Sequence, residues 1–143
     1  MKVTSAQDVV HWEAAAAAVA AAVRWAEETG AKVNVAVVDA GGNLAAFLRM
    51  PGAFLHSIDI AIDKAYTAAG FGLPTSAWSE ALKTHSPAVQ SGLPGRPRFV
   101  GFGGGLPLRH EGRLIGGIGV SGGSEQEDEA CARAGVSAIG LTV

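Results

Sequence analysis

The chain of 143 residues has a single cysteine, Cys131, and little excess charge of either sign. One cysteine cannot form an internal disulfide, so the class of small secreted domains held together by disulfides is excluded. Its alanine-rich, helical surroundings indicate a small core residue. A net charge of −2 gives no electrostatic reason to expect nucleic acid or an anionic membrane surface as a partner. We therefore expect neither partner.

Long hydrophobic runs are also missing. The most apolar stretch, Ala14–Val23, is rich in alanine and has acidic residues on both sides, and it lacks the basic start and the cleavage site of a secretory signal. No stretch combines the length and hydrophobicity of a membrane span. Together with the lone cysteine, these absences predict a cytoplasmic protein.

Metal-ligand spacing is absent as well. The four histidines fall into neither an i, i+4 nor an H-E-x-x-H pattern: His11, His56, His85 and His110. A single cysteine adds no second thiolate, so a zinc site is not expected. Haem iron is different, because it needs only one or two imidazoles in a hydrophobic slot. Each histidine is therefore either an axial ligand of that kind or an ordinary exposed or core ring.

The segment Gly117–Gly122 matches the dinucleotide-binding pattern G-x-G-x-x-G. The helix expected after it begins with several carboxylates. These groups complement the helix dipole themselves and would repel a pyrophosphate placed there. Nucleotide binding is therefore not predicted.

What the sequence does contain is typical of one compact domain spanning residues 1–143, with 48% hydrophobic and 17% charged residues. Because the strands do not alternate with helices as in β-α-β units, the sheet should be mainly antiparallel. Periodicity and capping signals predict the following elements in chain order. The first half contains a helix Ser5–Thr29, a hairpin of Val33–Val38 and Leu44–Arg49, and a helix His56–Gly70. The second half contains a short helix from Thr75, an irregular segment Ser86–Pro97, strands Phe99–Phe102, Leu106–His110 and Leu114–Val120, and a helix opened by the capping box Ser124–Glu127.

Glycine is concentrated in one region. The segment Phe99–Glu129 holds ten of the twenty glycines, and such a stretch either turns at positive φ or lets another surface approach closely. We expect a pocket between the helical segment Ala53–Gly70 and the loop Gly101–Pro107, suited to a small polar or aromatic molecule.

The helix His56–Gly70 carries the most interesting titratable residues. Asp59 and Asp63 are four residues apart and share a face, so one of them could act as a base, and Lys64, if buried, could serve as a proton donor or a Schiff-base amine. The alternative is a solvated charged face beside a core stripe. The sequence alone leaves both interpretations open.

Four pieces of the chain together resemble the GlcG/HbpS family, which is related to the C-terminal domain of PduO-type proteins. They read AVVDAGGNLAAFLRM, IAIDKAYTAAGFG, FGGGLPLRHEGRLIGGIGVSGG and EQEDEA, and they cover nearly the whole chain in the right order. The resemblance implies a profilin-like α/β (α+β) fold, with a five-stranded antiparallel sheet flanked by helices, assembled into a homo-oligomer. It also implies haem binding or association with corrinoids, as in some members.

The resemblance also suggests particular residues. The family motif places the same residue types at Asp39, Gly41, Gly42, Asp63, Lys64, Tyr66 and Gly103–Pro107. A haem-binding member uses a histidine from the N-terminal region, and His11 is the histidine found there. The cofactor-binding candidates are therefore His11, Gly103, Gly104 and Gly105, and the catalytic candidates are Asp63, Lys64 and Tyr66.

Three functions follow from these observations, and the first is preferred. The chain is a small-ligand-binding protein for haem or a related tetrapyrrole. Alternatively, it is a small cofactor-independent enzyme that acts on a carbonyl-containing or aromatic metabolite through Asp63, Lys64 and Tyr66. The third interpretation is a structural, oligomeric interaction module, because an unpaired sheet edge and flat alanine- and glycine-rich surfaces favour the packing of identical chains.

Overall fold

A four-stranded antiparallel sheet lies between two helical layers in the computed structural model, which describes residues 1–143. The helices are α1 (Trp12–Thr29), α2 (His56–Phe71), α3 (Trp78–Ala81), α4 (Pro87–Gly92) and α5 (Glu125–Ala138), and the strands are β1 (Asn34–Asp39), β2 (Leu44–Arg49), β3 (Gly105–His110) and β4 (Arg113–Ser121). The strand order is β2-β1-β4-β3. Three short 3-10 turns cover residues 75–77, 82–84 and 93–95.

The prediction of an antiparallel sheet flanked by helices is confirmed, but the expected fifth strand is wrong. The segment Phe99–Phe102 is not paired with a strand. Its backbone is held by α2 instead, because Val100 N donates to Thr67 Oγ1 at 3.1 Å and that hydroxyl donates to Arg98 O at 2.9 Å. The ring of Phe99 packs edge-on against Trp78, with ring centroids 5.0 Å apart. These contacts replace a ladder of strand hydrogen bonds.

The first helix is shorter than predicted. It begins at Trp12 rather than near Ser5, and His11 is its N-cap. Asp8, which falls within the predicted helix, precedes the observed one, and its carboxylate lies 3.1 Å from the guanidinium of Arg113. The segment before the helix therefore lies against β4. At the other end the prediction is confirmed, because Gly30 ends α1 with a φ of 81°.

Each face of the sheet has its own apolar layer. On one face, α1 and α5 cover the alternate side chains of β1, β3 and β4, with the buried Cys131 among them. Burial raises the pKa of that thiol to about 12, so it behaves as a core residue, as predicted. On the other face, α2 packs very closely on β4. A Cβ at Gly119 would collide with the carbonyl oxygen of Ala61, so glycine is needed there for close approach.

Most local signals near the C-terminal half are accurate. Glu111 and Gly112 both have positive φ and join β3 to β4 in a tight turn. Ser124 and Glu127 form the full predicted capping box at the start of α5. The prediction that Ser86–Pro97 is irregular is wrong, because the segment forms the short helix α4, capped by Ser86 Oγ, and a 3-10 turn after it. None of the helices combines the length and apolar character needed to cross a membrane.

Candidate functional site

Of the residues that the sequence predicts to be functional, His11 lines one cavity and Lys64 lines another. The first, which we name the His11 cavity, has a volume of about 560 Å³ and lies where the N-terminal segment meets the ends of β3, β4 and the C-terminus. His11 and His110 both line it. The other lining residues are mostly apolar: Gln7, Asp8, Val9, Val10, Ala14, Ile115, Ile139 and Leu141.

The imidazole of His11 is fixed by its position as helix cap. Its Nδ1 accepts a hydrogen bond from Glu13 N at 3.2 Å, so in the neutral ring the proton sits on Nε2. The carboxylate of Glu13 is 3.8 Å from the same Nδ1. A metal bound at Nε2 would require the proton to move to Nδ1. The cap bond would then be lost, and Glu13 would be placed to accept from Nδ1 instead.

The second cavity, which we name the Lys64 cavity, has a volume of about 180 Å³. It lies between the start of α2, the loop before β3 and the start of α5. Its walls carry two aromatic rings, two hydroxyls and the charged groups of three residues: Phe54, Phe102, Ser57, Ser121, Lys64, Glu125 and Asp128, with Gly122 and Gly123.

Lys64 is the largest fully buried side chain, with 1% of its surface exposed. Its Nζ donates to Val120 O at 2.9 Å and to Asp128 Oδ2 at 3.1 Å, which ties α2 to β4 and α5. The ring of Phe102 lies over the ammonium, 5.0 Å from its centroid. A Cβ on Gly104 would come within 2.6 Å of Nζ, so only glycine leaves room for this head group.

Burial governs the ionisation of this pair. It lowers the pKa of the Lys64 ammonium from its ordinary value, against the opposing attraction of Asp128. It also raises the pKa of the Asp128 carboxyl, against the opposing charge of Lys64 and the hydrogen bond from Gly123 N. Burial thus favours the neutral form of each group, whereas their mutual attraction favours the charged forms.

The other two catalytic candidates lie elsewhere on α2. Asp63 Oδ1 accepts from Arg98 Nε at 3.0 Å, and the guanidinium of Arg98 stacks on the ring of Tyr66 at 3.5 Å from its centroid. Tyr66 also covers the turn at Gly42. Asp63 and Tyr66 therefore share a partly exposed cluster with Arg98, whereas Lys64 faces the buried side of the helix.

The candidate glycines do not form a set of free N–H groups. Gly103 N donates to Glu125 Oε1 at 2.7 Å, and Gly105 N donates to Thr75 Oγ1 at 2.8 Å. A Cβ at Gly105 would come within 2.6 Å of Lys64 O, so this glycine serves close packing. Within one chain Gly103 lines a different cavity, of about 450 Å³, from the one that His11 lines. The structure thus separates His11 from the three glycine candidates.

Three residues of these sites escape sequence reasoning. Asp128 is assigned to the helix dipole by its place in the first turn of α5, and nothing in the sequence indicates that it meets Lys64, 64 positions away. Arg98 holds a positive φ of 66°, a conformation that no local pattern predicts. His110 is one of four equivalent histidine candidates in the sequence, and nothing there indicates that the fold brings it to the His11 cavity.

Known proteins share this fold and much of this sequence. The 15.0 kDa protein of the dhaT-dhaS intergenic region of Citrobacter freundii is 39% identical over 120 residues, covering 79% of this chain and 84% of that protein. The structure of a double mutant of HbpS from Streptomyces reticuli has a TM-score of 0.84 and 37% identity, covering 96% of this chain and 91% of that one. The structure of a complex of PduOC with haem has a TM-score of 0.85 and 33% identity, covering 94% of this chain and 97% of that one.

A family model described as haem-degrading protein HbpS-like matches residues 10–137, nearly the whole chain. The family match, the sequence relatives and the solved structures agree with the resemblance that the four sequence pieces indicate. This protein therefore belongs to the HbpS-like family.

Proposed function

We propose that this protein binds haem or a related tetrapyrrole in the His11 cavity, with the imidazole of His11 as the ligand of the iron. The observation that carries the proposal is an exposed histidine on the wall of a mostly apolar cavity of about 560 Å³. That volume falls within the range of roughly 300–1,000 Å³ of small-molecule and cofactor sites. The haem complex of the PduOC relative supports it.

The residues present fit such a group. An axial site needs an imidazole and a hydrophobic slot, and the cavity offers His11 together with Val10, Ile115 and Leu141. The side chain of His11 is 64% exposed, so its ring can turn toward a ligand without unpacking the core. When bound, haem would supply a redox-active iron.

The chain's own groups would prepare His11 for this role. Release of the cap bond from Glu13 N frees Nδ1 to carry the proton, and the carboxylate of Glu13 can then accept from it. A histidine held this way is oriented and made a stronger donor at Nε2. Glu13 is therefore the positioning residue of the proposed site.

Assembly into a closed homo-oligomer in the cytoplasm remains part of this proposal. The edge strand β2 exposes Leu44 and Leu48, and an apolar edge of this kind needs a cover. A neighbouring subunit would also provide a way to bring the Gly103 side of one chain toward the His11 cavity of another.

The two alternative functions receive less support. An enzyme that uses Asp63, Lys64 and Tyr66 together requires one substrate to reach all three, but Lys64 is buried against β4 whereas the other two contact Arg98. A purely structural module gives no reason for a histidine-lined cavity of this size.

Titration of the purified protein with hemin, followed by absorbance, tests the proposal. We expect saturable binding with a Soret band typical of histidine ligation, loss of that band in His11→Ala, and binding weakened about tenfold in Glu13→Gln, since partners that orient a ligating histidine have effects of this order. His85→Ala, which changes an exposed histidine outside the cavity, is the matched control.

Two outcomes would count against the assignment in different ways. Loss of the band in His110→Ala but not in His11→Ala would keep the cavity and move the ligand to His110. Unchanged affinity and spectrum in both variants would reject the cavity as the haem site.

A further inference from the structure

The Lys64 cavity is not used by the proposed haem site, yet it is lined by an amine that has one unused hydrogen-bond donor. An ammonium has three N–H bonds, and two of those of Lys64 are taken by Val120 O and Asp128 Oδ2. The residue also lines the cavity despite its burial. The third N–H bond has no acceptor in the protein, so it is available to a group placed in the cavity beside Lys64.

The charges around the cavity select the ligand. Lys64 and Asp128 neutralise one another, and the carboxylate of Glu125, which accepts from Gly103 N, adds a negative charge to the wall. Carboxylates and phosphates would be repelled by this balance. The hydroxyls of Ser57 and Ser121 can both donate and accept, so they suit a neutral polar molecule.

The size of the cavity narrows the choice further. A volume of about 180 Å³ equals the share of roughly six water molecules in the liquid, at about 30 Å³ each. A compound of three or four carbons fits such a space, and a tetrapyrrole does not. The rings of Phe54 and Phe102 would cover its carbon atoms.

We propose that the Lys64 cavity is a second site, independent of haem, that takes a small neutral aldehyde or ketone, and that Lys64 Nζ forms an iminium with its carbonyl carbon. Asp128 Oδ2 lies 3.1 Å from Nζ and is placed to hold the proton that the ammonium must give up. Burial supports this role, because it lowers the pKa of Lys64 and raises the pKa of Asp128.

The step balances without any co-reactant. The ammonium passes a proton to Asp128, and the free Nζ attacks the carbonyl carbon, so a C–N bond forms while the carbonyl π pair moves to oxygen. That oxygen takes up the proton lost from nitrogen and then, with the proton returned by Asp128, leaves as water. The product is an iminium whose positive charge again faces the Asp128 carboxylate.

Reductive trapping on the native protein tests this proposal without any variant. Propanal and cyanoborohydride at neutral pH would convert a reactive amine into a stable propylamine, which peptide mass spectrometry locates. The chain has four lysines, and Lys2, Lys32 and Lys83 serve as internal controls. We expect Lys64 to be modified faster than Lys83, because burial lowers the pKa of the Lys64 ammonium and so increases its fraction of free amine at neutral pH.

A cavity-filling variant separates chemistry at the site from general reactivity. Ser57→Leu narrows the cavity without removing Lys64 or Asp128, and we expect it to suppress labelling of Lys64 while Lys83 reacts as before. Hemin-saturated protein should still be labelled at Lys64, because the proposed haem site is a different cavity. The labelling result therefore does not depend on whether the haem proposal is correct. Labelling of the exposed lysines with none at Lys64 in the folded protein would overturn the proposal, as would equal labelling of Lys64 in Ser57→Leu.

Discussion

The two faces of helix α2 place charged residues in opposite environments. On the inner face, Lys64 is 1% exposed and forms an ion pair with Asp128 of α5, and it also donates to Val120 O of β4. On the outer face, Asp63 pairs with Arg98, and the two side chains keep 26% and 41% of their surface exposed. The ions are separated by similar distances, 3.1 and 3.0 Å, so distance alone does not set what each pair contributes.

The two ion pairs differ in how much hydration their charged groups keep. The inner ions have lost their hydration, so each depends on the other and on Val120 O or Gly123 N to remain charged. The outer ions remain partly hydrated, and water screens their attraction. The inner pair should therefore be costly to break on one side only, and the outer pair should contribute little.

The largest expected effect comes from removing one partner of the inner pair. Lys64→Met leaves Asp128 buried without its counter-ion and should lower the free energy of unfolding by about 3–5 kcal/mol, the usual cost of an uncompensated buried charge. Urea unfolding followed by circular dichroism measures this change.

The double variant Lys64→Met with Asp128→Leu is the control for that measurement. It removes both charges and leaves apolar groups of similar size, so its stability should return close to that of the original chain or exceed it. If the double variant were as unstable as the single one, the pair would be stabilising in its own right, and the comparison of the two faces would fail.

A change of pH should have a smaller effect on the free energy of unfolding, measured relative to the double variant. Because burial lowers the pKa of Lys64, the folded state binds fewer protons than the unfolded one as pH rises toward 10.5, so the contribution of this group to stability increases in that direction. Because burial raises the pKa of Asp128, the folded state binds more protons as pH falls toward 3.8, and its contribution increases in that direction.

The stability of the original chain relative to the double variant should therefore be lowest near neutral pH and rise on both sides. Urea unfolding of both proteins between acid and alkaline pH gives this difference directly. A maximum near neutral pH would mean that the attraction between the ions outweighs their loss of hydration.

The same contrast shows how far sequence reasoning reaches. Most signals that act within a few residues give correct predictions: the hairpin β1-β2, the span of α2 and the capping box at Ser124 follow from turn chemistry and periodicity, whereas the predicted start of α1 is wrong. The fifth strand fails because a single side chain, Thr67, supplies the hydrogen bonds that a neighbouring strand would have supplied.

The sites were harder to predict for a geometric reason. Asp63, Lys64 and Tyr66 stand close in the sequence, but successive residues of a helix point about 100° apart, so Lys64 leaves the face that the other two share. The partners that decide the chemistry, Asp128 and Arg98, come from distant segments. Only the fold shows which face each residue takes.

The smallest effect should come from the outer face, and it sharpens the comparison most directly. Asp63→Asn keeps the size of the side chain and removes its charge, so it weakens the contact with Arg98 while the guanidinium can still stack on Tyr66. Exposed ion pairs contribute about 0.2–1 kcal/mol, and we expect a loss within that range. Added salt should reduce the loss, because it screens charges that water reaches.

The matched variant Asp128→Asn removes the same charge from the inner face and should lower the free energy of unfolding several times more, with little dependence on salt. Equal losses in the two variants would show that Arg98, held at its positive φ, fixes the loop before Val100 through Asp63, and the outer cluster would then be as important to the fold as the buried pair.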